Sequence, residues 1–198
     1  MRTLRWTGRA PGRWVAAVFT ALALAAVAAR AAESPIPAEL QVQLLLRIFS
    51  FDRTLAADDE LVVGVLVQKR HRASYDAAEE MLAALRAAAG EAAGGRRLRA
   101  LAIACETPEA LVAALDREPV DILYVTPLRA FAVDRIAAAV RPRRVRTLTA
   151  VPDLVEQGLG VGLGLRDDRP EIVINLAAAQ AEGADFSSQL LGHARVLR

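Results

Sequence analysis

The stretch that most constrains this 198-residue chain is Gly158-Leu159-Gly160-Val161-Gly162-Leu163-Gly164-Leu165. Glycine alternates with an aliphatic residue at the period of a β-strand, so one face is apolar and the other carries no side chains. Glycine weakens a strand unless something needs the space. The bare face therefore marks a close approach by a helix, a second backbone or a ligand. A polar turn, Asp167-Asp168-Arg169-Pro170, and the run Glu171 to Ile174 follow. Together they read as an antiparallel hairpin.

Upstream, apolar runs and helical patterns alternate. Leu40, Leu44, Leu45, Ile48, Phe49 and Leu55 recur at helical spacing after Pro37, a residue suited to a first helical turn. Leu61 to Val67 is a continuous β-branched run, the pattern of a parallel strand covered on both faces. A helix is then predicted over Ser74 to Ala89, a strand over Leu98 to Ala104, and a helix over Pro108 to Asp116. Beyond these come a strand at Asp121 to Val125, a helix at Pro127 to Val140, a strand at Val145 to Ala150 and a short helix at Pro152 to Gln157. This order predicts an α/β fold, a three-layer sandwich with a mostly parallel sheet of about four βα units. A closing helical region is expected over Asn175 to Leu197, broken near Gly183. No linker and no fixed-period repeat interrupts residues 33–198, so one domain is expected there.

Arg2, Arg5, Arg9 and Arg13 precede an apolar run from Trp14 to Ala29 with small residues behind it, the layout of a secretory signal peptide. The run is shorter than the roughly 20 residues of a spanning helix. Residues 1–32 are accordingly expected to be cleaved and the remainder exported to the periplasm. That segment holds five arginines and no acidic residue, so the net charge of +2 becomes 20 basic against 23 acidic residues, or −3, without it. A nucleic-acid partner loses its main support. Cys105 is the only cysteine and closes no disulfide within the chain; a buried small hydrophobe is the expected role.

The catalytic inventory is thin. Lys69 is the only lysine and no phosphate-binding loop surrounds it. The glycine period is that of a strand rather than a dinucleotide fingerprint. His71 and His193 have no metal-ligand spacing, and Gly-x-Ser-x-Gly is absent. No enzyme activity, cofactor or metal is expected. Glu79-Glu80 and Asp167-Asp168 are expected on an exposed helix face and in a turn.

One weak binding signal remains, because open α/β sheets hold ligands at the carboxyl ends of their strands. Lys69, Arg70 and Arg72 follow the first strand, and the pairs Thr107-Pro108 and Thr126-Pro127 follow the next two. Each pair has the form of an N-cap with a first-turn proline, so an anion is a candidate ligand; capping threonines beside solvated arginines are the plainer reading. Arg141, Arg143, Arg144 and Arg146 precede a strand and are expected to be solubilising charge.

The segment Leu148-Thr149-Ala150-Val151-Pro152-Asp153, the glycine strand with its hairpin, Ile174-Asn175-Leu176-Ala177-Ala178-Ala179 and Ser187-Ser188-Gln189-Leu190-Leu191 with Ala194 resemble the YfiR family, the YfiR/HmsC-like periplasmic proteins. Gly158, Gly160, Gly162, Gly164, Asn175, Ser188 and Gln189 are the motif positions. The resemblance implies a non-enzymatic regulator that binds the periplasmic region of an inner-membrane sensor, a diguanylate cyclase or histidine kinase, and acts as a homodimer. Repression of cyclic-di-GMP synthesis is the implied output. Redox control through paired cysteines does not carry over, since Cys105 is alone. The alternatives are a small-molecule (anion) binder resembling one lobe of a solute receptor and an accessory of a membrane transport system. The glycine face is expected to pack against a helix of its own domain.

Overall fold

The computed structural model of the chain describes residues 36–55, 59–89, 96–129 and 133–198. They lie within the compact unit Ser34–Arg198, and the expected signal peptide, in the other unit, lies outside the described residues. Helix α1 (Ala38–Phe49) is followed by β1 (Glu60–Val67), α2 (Arg72–Ala87), β2 (Arg97–Ala104), α3 (Pro108–Arg117), β3 (Ile122–Val125) and α4 (Val133–Val140). Then come β4 (Arg146–Thr149), α5 (Pro152–Glu156), β5 (Val161–Arg166), β6 (Arg169–Asn175), α6 (Leu176–Ala181), α7 (Ser188–Leu191) and β7 (Arg195–Leu197).

The strands form one seven-stranded sheet in the order β2-β1-β3-β4-β5-β6-β7. Every neighbouring pair is parallel except the β5–β6 hairpin. The fold is α/β. Strand β1 explains the layering: Leu61, Val63, Val65 and Val67 join the core beneath α1 and α2, and Leu66 faces the core beneath α3 and α4. A strand covered on both faces needs apolar residues throughout, hence the unbroken run. Tyr124 Oη of β3 donates to Gln41 Oε1 of α1 at 2.6 Å, a buried bond that fixes α1 on β3.

Four expectations are corrected. The glycine strand starts at Val161 rather than Gly158; Gly158 sits in the preceding turn at φ 123°, a conformation that favours glycine. The hairpin turn is only Asp167-Asp168, both at positive φ, and Arg169 and Pro170 already pair in β6; Asp tolerates the left-handed region such a two-residue turn requires. Thr126-Pro127 does not start a helix, because Thr126 faces the interior and α4 begins at Val133. Finally, the closing region is two short helices separated near Gly183, as expected, but its last residues are not helical: Arg195–Leu197 adds parallel to β6 as a strand.

Candidate functional site

The sheet order reverses between β1 and β3, the point where open α/β sheets usually hold a ligand. Among the described residues, the chain's own side chains bond one another across this point. The Thr126 hydroxyl donates to Leu66 O at 2.8 Å, leaving its oxygen to accept from Ser74 Oγ at 2.6 Å. Ser74 Oγ in turn accepts from Gln68 N at 2.9 Å, and Gln68 Oε1 accepts from Arg129 N at 2.8 Å. Gln68, Ser74 and Thr126 are all buried. The two hydroxyls and Gln68 Oε1 are satisfied from within, which is how buried polar groups escape the cost of lost hydration.

Beside this knot, Lys69, Arg70, Arg72, Tyr75 and Asp76 line an open depression of about 420 Å³. Arg72 Nε is 2.7 Å from Asp76, one helical turn on, and Arg70 N donates to Glu106 Oε1 at 3.4 Å. Both contacts bring a carboxylate to the place where an anion would sit. Thr107 is a true N-cap, accepting from Ala110 N at 3.3 Å, so its hydroxyl already serves α3. The structure therefore gathers Lys69, Arg70 and Arg72 but separates Thr126 from them by burial. His71 is half-buried, with Nδ1 enclosed and unpartnered. Cys105 is fully buried; burial pushes its thiol up to about 11, so it is no thiolate at neutral pH. Among the described residues no group of three or more His, Cys, Asp or Glu side chains is placed to hold a metal ion.

The opposite end of the sheet holds a polar lock that the sequence did not announce. Arg146, expected on the surface, is buried at the start of β4, its Nε 2.9 Å from Asp52 Oδ2. Asp52 also accepts from Thr54 N, Thr54 Oγ1 and Asp185 N. Burial alone would raise its carboxyl; those bonds outweigh it and hold Asp52 below the usual carboxylate range. Glu182, equally buried, accepts from Thr147 N at 2.8 Å and Thr147 Oγ1 at 2.7 Å, and Thr147 Oγ1 accepts from Gly160 N at 2.7 Å. Burial pushes Glu182 up to about 7 despite the bonds from Thr147.

This lock and α5 occupy the bare face of the glycine run. A Cβ at Gly160 would lie 2.5 Å from Glu182 Oε2 and 3.3 Å from Ala179 Cα; one at Gly164 would lie 2.9 Å from Pro152 Cγ. At Gly162 it would collide with Val155 Cγ2. Asn175 caps α6, with Oδ1 accepting from Ala178 N, and its Nδ2 donates to Val155 O at 3.0 Å, tying α5 to the same corner.

On the face carrying α1, a recess of about 320 Å³ opens between α1, β6 and α7. Leu44, Ile48, Phe51, Ile172 and Leu190 make its floor, and exposed Arg47, Gln189 and His193 ring it. Gln189 lies in this wall, whereas the exposed Ser188 begins α7 after the Ser187 cap. The recess gathers residues more than 120 positions apart, so no local pattern marks it.

A sequence profile of the YfiR/HmsC-like proteins matches residues 38–195. The chain belongs to that family. Membership points to a periplasmic regulatory role and away from catalysis. No curated protein matches the YfiR/HmsC-like chain. Among solved structures it is similar to an ABC domain from Streptococcus pneumonia in complex with L-Trp, at TM-score 0.61 and 16% identity, covering 81% of this chain and 62% of that one. A conserved domain protein from Vibrio cholerae matches at 0.57 and 16%, with 82% and 60% covered. CD0873, a substrate binding protein with adhesive properties from Clostridium difficile, matches in its ligand-free, open structure at 0.52 and 14%, with 78% and 58% covered. The chain thus spans about three-fifths of each of these structures, and at such identities the likeness is one of fold. No helix among the described residues is long and apolar enough to cross a membrane.

Proposed function

We propose that this protein is a non-enzymatic periplasmic regulator that binds the periplasmic region of an inner-membrane sensor and holds its signalling down, with a diguanylate cyclase as the target. Membership of the YfiR/HmsC-like family over residues 38–195 carries this reading. Two features of the fold support it. At the crevice of the sheet the described residues Gln68, Ser74 and Thr126 spend their hydrogen bonds on the chain itself. The recess between α1, β6 and α7 has an apolar floor and a polar rim, the anatomy of a pocket for a partner's anchor side chain. Arg47 on the rim suits an acidic residue beside that anchor. Capture from solubilised membranes with the tagged protein tests the reading: an inner-membrane sensor is retained by the wild type and lost with Arg47→Glu. Retention of no membrane protein by either would overturn it.

A small-molecule role is the second reading, favoured by the likeness to a substrate binding protein and to a domain bound to L-Trp. The basic loop Lys69, Arg70 and Arg72 would be its site. In that case phosphate or a small carboxylate raises the melting temperature in a saturable way, and Arg70→Ala abolishes the rise. Under the regulator reading neither compound moves it.

A further inference from the structure

The strands of the sheet are not joined evenly. β1 pairs with β2 along its whole length, with β3 over Val63 to Leu66, and β3 pairs with β4 along its whole length. β4 and β5 share only Leu148 with Val161 and Thr149 with Gly162, the shortest join among the described residues. This seam divides β2, β1, β3 and β4 from β5, β6 and β7.

Side chains take the place of the next rung. Arg146 N donates to Asp121 O on the β3 side, so in the alternation of a parallel ladder Thr147 turns its N–H toward β5. Its acceptor there is a side chain, Glu182 Oε2 at 2.8 Å, because β5 starts only at Val161. Gly160 N donates to Thr147 Oγ1 at 2.7 Å, and that hydroxyl donates to Glu182 Oε1 at 2.7 Å. One buried carboxyl, carried by the link after α6, thus closes the seam. The recess straddles the same seam. Leu44, Arg47 and Ile48 belong to α1, which Gln41 bonds to Tyr124 of β3, whereas Ile172 and Leu190 belong to β6 and α7.

The charges around Glu182 lie to one side. α6 carries no charged residue, and the strand side offers Gly160. Arg141 acts on the carboxyl from the turn before β4, and Arg144 of the same turn packs over Gly183. Beyond them Arg146 Nη2 donates to Gly183 O, Asp185 N donates to Asp52 Oδ1, and Asp185 pairs with Arg53. Asp52 is held low, so this second tie keeps its charge near neutral pH and serves as a pivot. We propose that Glu182 is a proton-operated latch: neutral, it holds β4 to β5 and fixes the recess; ionised, it leaves the seam for water, Arg141 and Arg144, and the two parts of the sheet separate locally. Desolvation disfavours the charged form in the seam and not outside it, and it raises the seated carboxyl from 4.5 to about 7. The preference for the closed seam is therefore complete below about 4.5 and declines until pH passes about 7, by about tenfold per pH unit. The latch is a property of the free protein and does not depend on what fills the recess.

Amide hydrogen exchange followed by NMR, on the protein purified from cells expressing the full chain, reads the seam. The protection factors of Thr147 and Gly160, which remove the intrinsic pH dependence of exchange, fall about tenfold per unit between pH 5 and 7 and level off above. At every pH both amides stay less protected than those of β1, which open only when the whole molecule unfolds. Glu182→Gln removes this carboxyl alone, leaves His193 of the rim in place, and abolishes the slope. Ile48→Cys reads the recess. Its thiol is alkylated at least about tenfold faster than Cys105, which lies in the other core and reports global unfolding. The rate relative to the same thiol in Glu182→Gln grows about tenfold per pH unit over the same range. Three results would each overturn the proposal: seam amides as protected as those of β1, a slope that survives Glu182→Gln, or a thiol at position 48 no faster than Cys105.

Discussion

Glu182 offers a stability test whose sign and size follow from its surroundings. Its carboxyl is buried beneath Thr147 and Gly160, and burial raises it from the ordinary 4.5 to about 7. Between those values the unfolded chain has released a proton that the folded chain keeps, so stability falls as pH rises through the window. Below about 4.5 both states hold the proton and the penalty vanishes; above about 7 it is complete. At about 1.4 kcal/mol per pH unit, the rise is worth about 3 kcal/mol. Glu182→Gln keeps the shape, accepts from Thr147 N and carries no titratable proton. The measurement is urea unfolding followed by circular dichroism at a series of pH values, since both tryptophans, Trp6 and Trp14, lie in the expected signal peptide. Subtracting wild type from variant removes every group the two share. The difference should swing toward the variant by about 3 kcal/mol between pH 4.5 and 8. A difference that stays flat to within about 0.5 kcal/mol would refute the reasoning and mean that Glu182 ionises without cost where it stands.

Three further outcomes are expected. Gly162→Val drives a side chain into Val155, and overpacking of this kind lowers unfolding free energy by about 1–3 kcal/mol; an unchanged urea midpoint would mean the glycine face is open and available for binding. Asp52→Asn breaks the buried pair with Arg146 at a cost of about 3–5 kcal/mol near neutral pH. Because Asp52 is held low, that gap is complete above the ordinary carboxylate range and closes as pH falls through the folded value, which acid titration of both proteins would reveal. Cys105, with its thiol pushed up to about 11, should react with a disulfide reagent at pH 8 only after urea is added; prompt labelling of the native protein would contradict its burial.

The layers of the fold were legible because each strand and helix carries its own period. Leu61 to Val67 reads as a doubly covered strand from its residues alone, and β1 is buried along nearly its whole length. Errors arose where one residue type serves two purposes. Thr126-Pro127 has the form of a helix cap, yet the threonine turns inward to bond Leu66 O and Ser74. Arg146 stands among arginines that read as surface charge; its partner Asp52 lies 94 positions away, beyond any local pattern. Glu182 meets Gly160 from another element, 22 positions further along the chain, so no local pattern pairs the two, although the glycine alternation does announce that something fills the bare face. Strand β7 exists only because β6 offers an edge to Arg195–Leu197, so three residues adopt by pairing what their sequence does not specify. The apolar recess escapes notice for the same reason, being assembled from α1, β6 and α7.

The central claim, repression of a membrane diguanylate cyclase by a periplasmic protein, is tested most directly by cellular cyclic-di-GMP. Deleting the gene should raise the nucleotide level, the wild-type full chain should restore it, and Arg47→Glu, made at the same abundance, should fail to do so. A level that does not move on deletion would contradict the account.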